Sequence, residues 1–122
     1  MTRMRISLVV GSVLAATVLL ATGAFAARVT VKQYLHPSKP EYEEIYKIFL
    51  DGAKEGMMVS NATLMVQKKQ PLFCLPNDLA LEMDQTHDIL VHWIGKQSIK
   101  IDDMSVSVVL LKALQETFPC NR

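Results

Sequence analysis

Three stretches of the chain repeat apolar residues every three or four positions, which is the spacing of one face of an α-helix. The first helix is predicted to begin after Ser38 and Pro40, a capping side chain followed by a proline that the first turn tolerates. It is predicted to extend to Val66, and a break near Ser60 is left open. The predicted inward faces are Tyr42, Ile45, Phe49, Ala53 and Met57 in the first helix, Met83, His87, Leu90 and Ile94 in the second, and Val106, Val109, Leu110, Ala113 and Leu114 in the third.

The segments between these faces complete the predicted architecture. The second helix is expected to open at residues 76–78 and to end at Gly95, and the third to follow a cap at Asp102 or Asp103. Residues 28–37 alternate only weakly and are predicted to form an extended arm. We therefore predict an all-α fold, a small helical bundle of three to five helices.

Two glycines interrupt the first predicted helix. Gly52 and Gly56 are four positions apart and therefore share one face. Each glycine inside a helix costs roughly 1 kcal/mol relative to alanine. We expect this cost to be offset by helix packing, with another helix approaching closely at Gly52 and Gly56.

Residues 1–26 have the form of a signal peptide. Two arginines precede a long apolar run, and Ala24 and Ala26 supply the small residues of a signal-peptidase site. We expect cleavage after Ala26, export to the periplasm and a single mature domain of residues 27–122. A retained membrane anchor is the alternative, because the apolar run is long enough to span a bilayer.

The nearly neutral charge of the mature chain argues against partners that are attracted by a strong electrostatic field. Removal of the leader takes two of the 13 basic residues and leaves a net charge of −1 with histidine neutral. No basic field remains to attract nucleic acid, and no acidic field to attract a basic partner. We expect neither nucleic-acid binding nor, after signal cleavage, membrane association.

The chain contains two cysteines, Cys74 in Phe-Cys-Leu-Pro and Cys120 in Phe-Pro-Cys. An even number of cysteines in an exported protein indicates a disulfide. A disulfide between Cys74 and Cys120 would close the chain between them into a loop, which should stabilise the fold by roughly 4 kcal/mol. That is a large share of the roughly 5–10 kcal/mol available to a small domain. Two free buried thiols are the alternative.

Chemistry-bearing residues do not form a catalytic or metal-binding pattern. His87 and His92 are five positions apart, about 140 degrees around a helix, so they do not form a metal-binding pair. Ser105 and Ser107 lie outside any G-x-S-x-G turn, and no glycine-rich phosphate loop occurs. We predict no catalytic residue, no metal and no cofactor.

Three motifs together resemble the Rap/Tai immunity proteins. They are Phe-Leu-Asp-Gly-Ala-Lys-Glu-Gly at residues 49–56, Phe-Cys-Leu-Pro at 73–76, and Ala-Leu-x-x-x-Phe-Pro-Cys at 113–120. The resemblance covers residues 41–120. It departs from the family after Gly95, where Lys-Gln-Ser stands in place of the usual proline. The resemblance implies a disulfide-bonded helical bundle, periplasmic and often dimeric. It also implies that the protein binds and blocks a peptidoglycan-cutting amidase delivered by type VI secretion.

The loop after the second helix is the predicted partner-binding segment. Its residues are Lys96, Gln97, Ser98, Ile99 and Lys100, and Ile99 would form an apolar tip between two lysines. An ordinary solvated loop is the alternative, and the Lys68–Lys69 loop leading to Phe73 is a second candidate surface. Expected partners are a cognate toxin and a second copy of the chain. Two other functions are also left open: an acid-stress chaperone of the Hde type, and an envelope protein without a toxin partner.

Overall fold

The computed structural model describes residues 28–121 and gives them an all-α fold, as predicted. An isolated bridge pairs Thr30 with Ser105, and no strand occurs in this part of the chain. The predicted signal peptide, residues 1–26, lies outside the described residues. Within residues 28–121, every helix is too short or too polar to cross a membrane. The four helices are α1 (Val31–Leu35), α2 (Glu41–Val66), α3 (Met83–Gly95) and α4 (Val106–Thr117).

Helix α4 lies at the centre of the fold and contacts α1, α2 and α3. Its buried side needs apolar residues because three other helices surround it. All of the residues predicted to face inward from α4 are completely buried. Val108, on the other side of α4, is 49% exposed. The buried residues of α4 are Val106, Val109, Leu110, Ala113 and Leu114.

The predicted extended arm is instead a short helix docked on the core. Its first turn forms because the Thr30 side chain accepts from the Gln33 N–H while the Gln33 side chain accepts from the Thr30 N–H. Val31 is completely buried, and its N–H donates to the Met104 carbonyl at 3.0 Å. The prediction of an arm is therefore wrong, because this segment buries apolar surface and forms backbone hydrogen bonds with the linker that precedes α4.

The core-facing side of α2 is partly polar. Its buried residues are Leu50, Lys54 and Asn61, whereas Ile45, predicted to face inward, is 54% exposed. The prediction fails at Ile45 because Lys54 and Asn61 occupy the inner side, where they bind backbone atoms of the following linker. The helix continues through Ser60 without a break.

Gly52 and Gly56 lie on the exposed side of α2. A Cβ atom built on either glycine has no described atom within 4 Å, apart from the helix's own nearby backbone. Among residues 28–121, no other helix packs closely on Gly52 and Gly56, so the predicted close approach is not found within this part of the chain. The reason is geometric, because α3 and α4 contact α2 on the side that carries Leu50.

Asn61 fixes the first part of the linker between α2 and α3. Its amide nitrogen donates to the Phe73 carbonyl at 2.8 Å, and its amide oxygen accepts from the Leu72 N–H at 2.7 Å. The Asn61 amide thus satisfies one backbone group of each of these two residues, as a neighbouring strand would. Phe73 is thereby held in the core, where it is 1% exposed.

Lys54 fixes the last part of the same linker. Its ammonium group donates to the Leu81 carbonyl at 2.8 Å and contacts the carboxylates of Asp51 and Glu55 at 2.8 and 3.0 Å. Helix α3 begins at Met83, after a capping box formed by Glu82 and Gln85, and so starts later than the predicted residues 76–78.

The predicted disulfide is confirmed. Cys74 and Cys120 are bonded, with their Cα atoms 4.9 Å apart. The Cys74 N–H also donates to the Phe118 carbonyl at 2.8 Å. The linker before α3 and the segment after α4 are therefore held together by a covalent bond and by a backbone hydrogen bond.

Candidate partner-binding site

The loop of residues 96–101 leaves α3 through a hydrogen-bonded turn. The Lys96 N–H donates to the Trp93 carbonyl at 3.1 Å, and the Gln97 N–H donates to the Ile94 carbonyl at 3.0 Å. The Gln97 side chain donates to the same Trp93 carbonyl at 3.0 Å. Gln97 therefore acts as an anchor on the inner side of the loop and presents little surface to a partner.

The other end of the loop is fixed in the core. Ile101 is buried, and its carbonyl accepts from the Met104 N–H at 3.0 Å. The next carbonyl, that of Asp102, accepts from the Lys32 N–H of α1 at 3.0 Å. Because both ends are anchored, the segment from Ser98 to Lys100 is an exposed tip on a fixed base.

The tip combines one apolar side chain with two positive charges. Ile99 is 70% exposed, and Lys96 and Lys100 are exposed on either side of it. Lys100 lies 3.9 Å from the Asp102 carboxylate but keeps 82% of its side chain exposed, so this ion pair is weak. The tip can therefore bury Ile99 in a partner's cleft while the lysines form new contacts at its rim.

Met104 is an apolar residue of this linker that the loop prediction did not include. It is 40% exposed and follows the buried Ile101 by one turn. Its sequence signal was weak, because a lone methionine after two aspartates is also typical of core filling before a helix. The exposed apolar residues of the linker are thus Ile99 and Met104.

The second predicted surface, the Lys68–Lys69 loop, is only partly available. Both lysines are exposed, and Lys68 adopts a left-handed backbone conformation with φ of 56°. Phe73 is buried and cannot contact a partner. Beside the loop is a groove of about 470 Å³ whose lining includes Met58, Met65 and Leu75. Any partner of this surface would contact the methionines and leucine of the groove in place of Phe73.

A smaller cleft, of about 340 Å³, lies beside α1 and contains Tyr34 and His87. The Tyr34 hydroxyl is 2.6 Å from Nδ1 of His87. Burial, with a smaller effect from the Glu43 charge, raises the pKa of Tyr34 to about 12. The hydroxyl therefore stays protonated at neutral pH, and its hydrogen bond with His87 serves as a packing contact between α1 and α3.

Metal binding has no support among residues 28–121. No group of three or more histidine, cysteine, aspartate or glutamate residues there is close enough to hold a metal ion. His92 is exposed on α3, whereas His87 is half-buried and bonded to Tyr34. The two histidines thus lie in different environments, and the structure does not bring them together.

A family model described as Rap1a immunity proteins matches residues 20–120, which is most of the chain. The chain belongs to the Rap1a immunity protein family. The match confirms the resemblance to Rap/Tai immunity proteins and extends further toward the N-terminus than residues 41–120. No curated protein and no solved structure gave a significant match.

Membership of the Rap1a family gives the exposed loop a context. The family name describes proteins that protect a cell from a toxin, which implies a cognate toxin as partner. In this Rap1a protein the anchored tip around Ile99 is exposed and therefore accessible to a partner. The tip protrudes without a stabilising role in the core, since Ile99 is 70% exposed.

Proposed function

We propose that this Rap1a-family protein binds and blocks a peptidoglycan-targeting amidase that type VI secretion delivers to the periplasm. Family membership over residues 20–120 carries the immunity role. The resemblance described above supplies the finer expectation of an amidase target. The proposal needs no catalytic residue, cofactor or metal, because an inhibitor of this kind acts by occupying the toxin.

The mechanism we propose is obstruction of the amidase cleft by the loop of residues 96–100. Ile99 would enter the cleft, and its burial would stabilise the complex by roughly 1–2 kcal/mol. Lys96 and Lys100 would contact acidic or carbonyl oxygens at the cleft rim. The anchored loop ends favour affinity, because a fixed base reduces the conformational entropy lost on binding.

The periplasmic location is part of the same proposal. The predicted signal peptide, cleaved after Ala26, would export the mature chain to the compartment that contains peptidoglycan. The disulfide between Cys74 and Cys120 supports this location, because such bonds persist in oxidising compartments. Fractionation followed by mass measurement of the mature N-terminus tests both points.

The decisive experiment for the loop compares two double variants that make the same change of charge. The toxin is taken from the neighbouring open reading frame or from a periplasmic pull-down, and its peptidoglycan digestion is measured against inhibitor concentration. The first variant, Ile99→Asp with Lys100→Glu, alters the tip. The second, Met65→Asp with Lys69→Glu, alters exposed residues beside the groove on the far end of α2.

We expect the tip variant to weaken inhibition by at least tenfold and the groove variant to leave it unchanged. The tip residues are exposed, so circular dichroism and thermal unfolding should match the wild-type protein. Loss of inhibition only in the groove variant would move the binding site to the Lys68–Lys69 surface. Full inhibition by both variants would remove both loops from the mechanism.

A further inference from the structure

The linker that carries the exposed tip is attached to the start of the described chain. Residues 29–36, here called the N-terminal strap, contain α1 and pair with residues 102–106. Three backbone hydrogen bonds join the two segments. They run from the Val31 N–H to the Met104 carbonyl, from the Lys32 N–H to the Asp102 carbonyl and from the Val106 N–H to the Val29 carbonyl, at 3.0, 3.0 and 2.9 Å. The strap therefore fixes the last residues of the linker before α4 begins.

Two side chains dock the strap on the helices. Val31 is completely buried, and Tyr34 is 6% exposed. The Tyr34 hydroxyl lies 2.6 Å from Nδ1 of His87 on α3, and α1 contacts α4. Because an isolated helix of five residues is not stable in water, the strap depends on these contacts for its conformation.

The strap can open without unfolding the rest of the molecule. The disulfide between Cys74 and Cys120 encloses α3, the tip and α4, whereas the strap lies outside the closed loop. Under the proposed cleavage after Ala26, only residues 27–30 would precede α1. Segments this close to a chain end open most readily. Helix α1 is therefore expected to detach before the other three helices.

Opening of the strap would loosen the base of the tip. The carbonyls of Asp102 and Met104 would lose their donors, and the linker beyond Ile101 would lose the segment that pairs with it. The tip, residues 98–100, directly precedes Ile101. A toxin that binds the loosened loop must order it, and the entropy lost in this ordering lowers the affinity.

We propose that the N-terminal strap positions the tip for toxin recognition. In its docked form the strap holds residues 96–104 in the geometry that fits the toxin, and its release lowers the affinity while α2, α3 and α4 stay folded. This role rests on the proposed function, because the toxin and its contact with the loop are taken from there. Val31 and Tyr34 are the positioning residues, and because both are buried they act through the linker. If the strap is docked in roughly a tenth of the molecules, the apparent affinity falls about tenfold, since only that fraction is competent to bind.

The first test needs no toxin. The strap variant, Val31→Ala with Tyr34→Ala, removes both docking side chains and is compared with the wild type by amide hydrogen exchange on the oxidised protein. The amides of Lys32 and Val106 donate across the contact between strap and linker, so their exchange reports docking. We expect both to exchange at least tenfold faster, while amides in the middle of α2 and α3 keep their protection. Leu81→Ala is the control, since Leu81 is buried in the linker before α3, and it should leave these two amides unchanged.

The second test measures inhibition of the amidase from the neighbouring open reading frame. The strap variant should inhibit at least tenfold more weakly than the wild type. Leu81→Ala should stay within twofold of the wild type, because a small loss of global stability leaves nearly all molecules folded.

A disulfide lock separates positioning from damage to the core. Thr30 and Ser105 face each other in the antiparallel bridge, at a position where the two residues exchange no hydrogen bond. The Cα atoms of such a pair are roughly 4.5 Å apart, a distance that a disulfide can span. Thr30→Cys with Ser105→Cys, added to the strap variant, should restore inhibition to within threefold of the wild type. Mass mapping confirms that the new bond and the native one have both formed.

Four results would overturn the proposal. The first is unchanged exchange in the strap variant, since docking would then not depend on Val31 and Tyr34. The second is a loss of protection throughout α2 and α3, which would make the strap part of the core. The third is fast exchange with full inhibition, and the fourth is a lock that forms without restoring inhibition.

Failure of the proposed function gives a different result. A wild-type protein that inhibits no amidase would refute that function, and with it the role of the strap in toxin binding, even where exchange links the strap to the linker. Inhibition by the wild type that the strap variant retains in full would refute the role of the strap alone.

Discussion

Removal of the Lys54 charge should destabilise the fold by more than its position on a charged helix suggests. Lys54 is 5% exposed, and its ammonium group donates at 2.8 Å to the carbonyl of Leu81, which is also a buried residue. Lys54→Met preserves most of the aliphatic stem and removes the donor. The variant therefore measures the polar contact with little loss of packing.

The expected loss of folding free energy follows from the Leu81 carbonyl, which loses its hydrogen-bond donor in the variant. A buried carbonyl without a donor costs roughly 1–3 kcal/mol, and a hydrogen bond from a charged donor is in the same range. Asp51 and Glu55 are at least a third exposed and can be rehydrated, so they add little. We expect a loss of about 2–3 kcal/mol, or roughly 10–20 °C in melting temperature for a domain of this size.

The pH dependence of this contact has a defined sign. Burial lowers the pKa of Lys54, but the hydrogen bonds and charges of Asp51 and Glu55 raise it by more, so the pKa is above its ordinary value of 10.5. A raised lysine pKa means that the contribution is fully present below the unfolded value and is lost only as the pH rises through the folded pKa. The difference between wild type and Lys54→Met should therefore be constant around neutral pH.

The assay is urea unfolding of the oxidised protein, followed by circular dichroism. Lys47→Met is the matched control, because Lys47 lies on the same helix and pairs with Glu43 at 3.2 Å with 28% of its side chain exposed. That pair is worth at most about 1 kcal/mol. If Lys54→Met is no more destabilising than Lys47→Met, the linker is not held by this contact.

Two further predictions concern the disulfide and Tyr34. Cys74→Ala with Cys120→Ala should lower the free energy of unfolding by roughly 4 kcal/mol, and a double variant within 1 kcal/mol of the wild type in urea unfolding would contradict this. Spectrophotometric titration should show one tyrosine that ionises only near pH 12, and this component should be absent from Tyr34→Phe. Because the pKa of Tyr34 is raised from 10.0 to about 12, the stability it contributes is intact below pH 10 and declines between these values. If Tyr34→Phe removes no tyrosine signal near pH 12, the raised pKa of the Tyr34 hydroxyl is contradicted.

The sequence predicted α4 and the disulfide well because both depend on simple signals. The α4 residues that pack inward, such as Val109 and Leu114, are apolar on every core-facing position. The two cysteines left one intramolecular pairing. The resemblance to the Rap/Tai proteins also depended on residues around these cysteines, so recognition of the family and the fold used the same signals.

Apolar spacing predicted the core contacts of Phe49, Ala53 and Met57 on α2, but not the buried polar residues of the same helix. Lys54 and Asn61 face the core because Leu81, Leu72 and Phe73 present backbone groups there, and those partners are 11 to 27 positions away along the chain. Such contacts have no periodicity. Ile45, which lies on the outer side, was consequently assigned to the core face by mistake.

The starts of α1 and α3 are set by capping side chains, and the prediction relied on other signals. The Thr30–Gln33 pair starts α1, and the Glu82–Gln85 pair starts α3 in the same way. Both pairs were present in the sequence. The weak alternation of residues 28–37 favoured an extended arm over α1, and Pro76 favoured an earlier start for α3. The location of the 96–100 loop followed from Gly95, whereas its anchoring through Gln97 required the structure.

The anchoring of the loop has a consequence for how recognition can evolve. Gln97 and Ile101 hold the base, while Ser98, Ile99 and Lys100 are exposed. Replacements at those exposed positions carry little penalty for folding. Under the proposed function, the residues that contact the toxin could therefore change without compensatory changes in the scaffold.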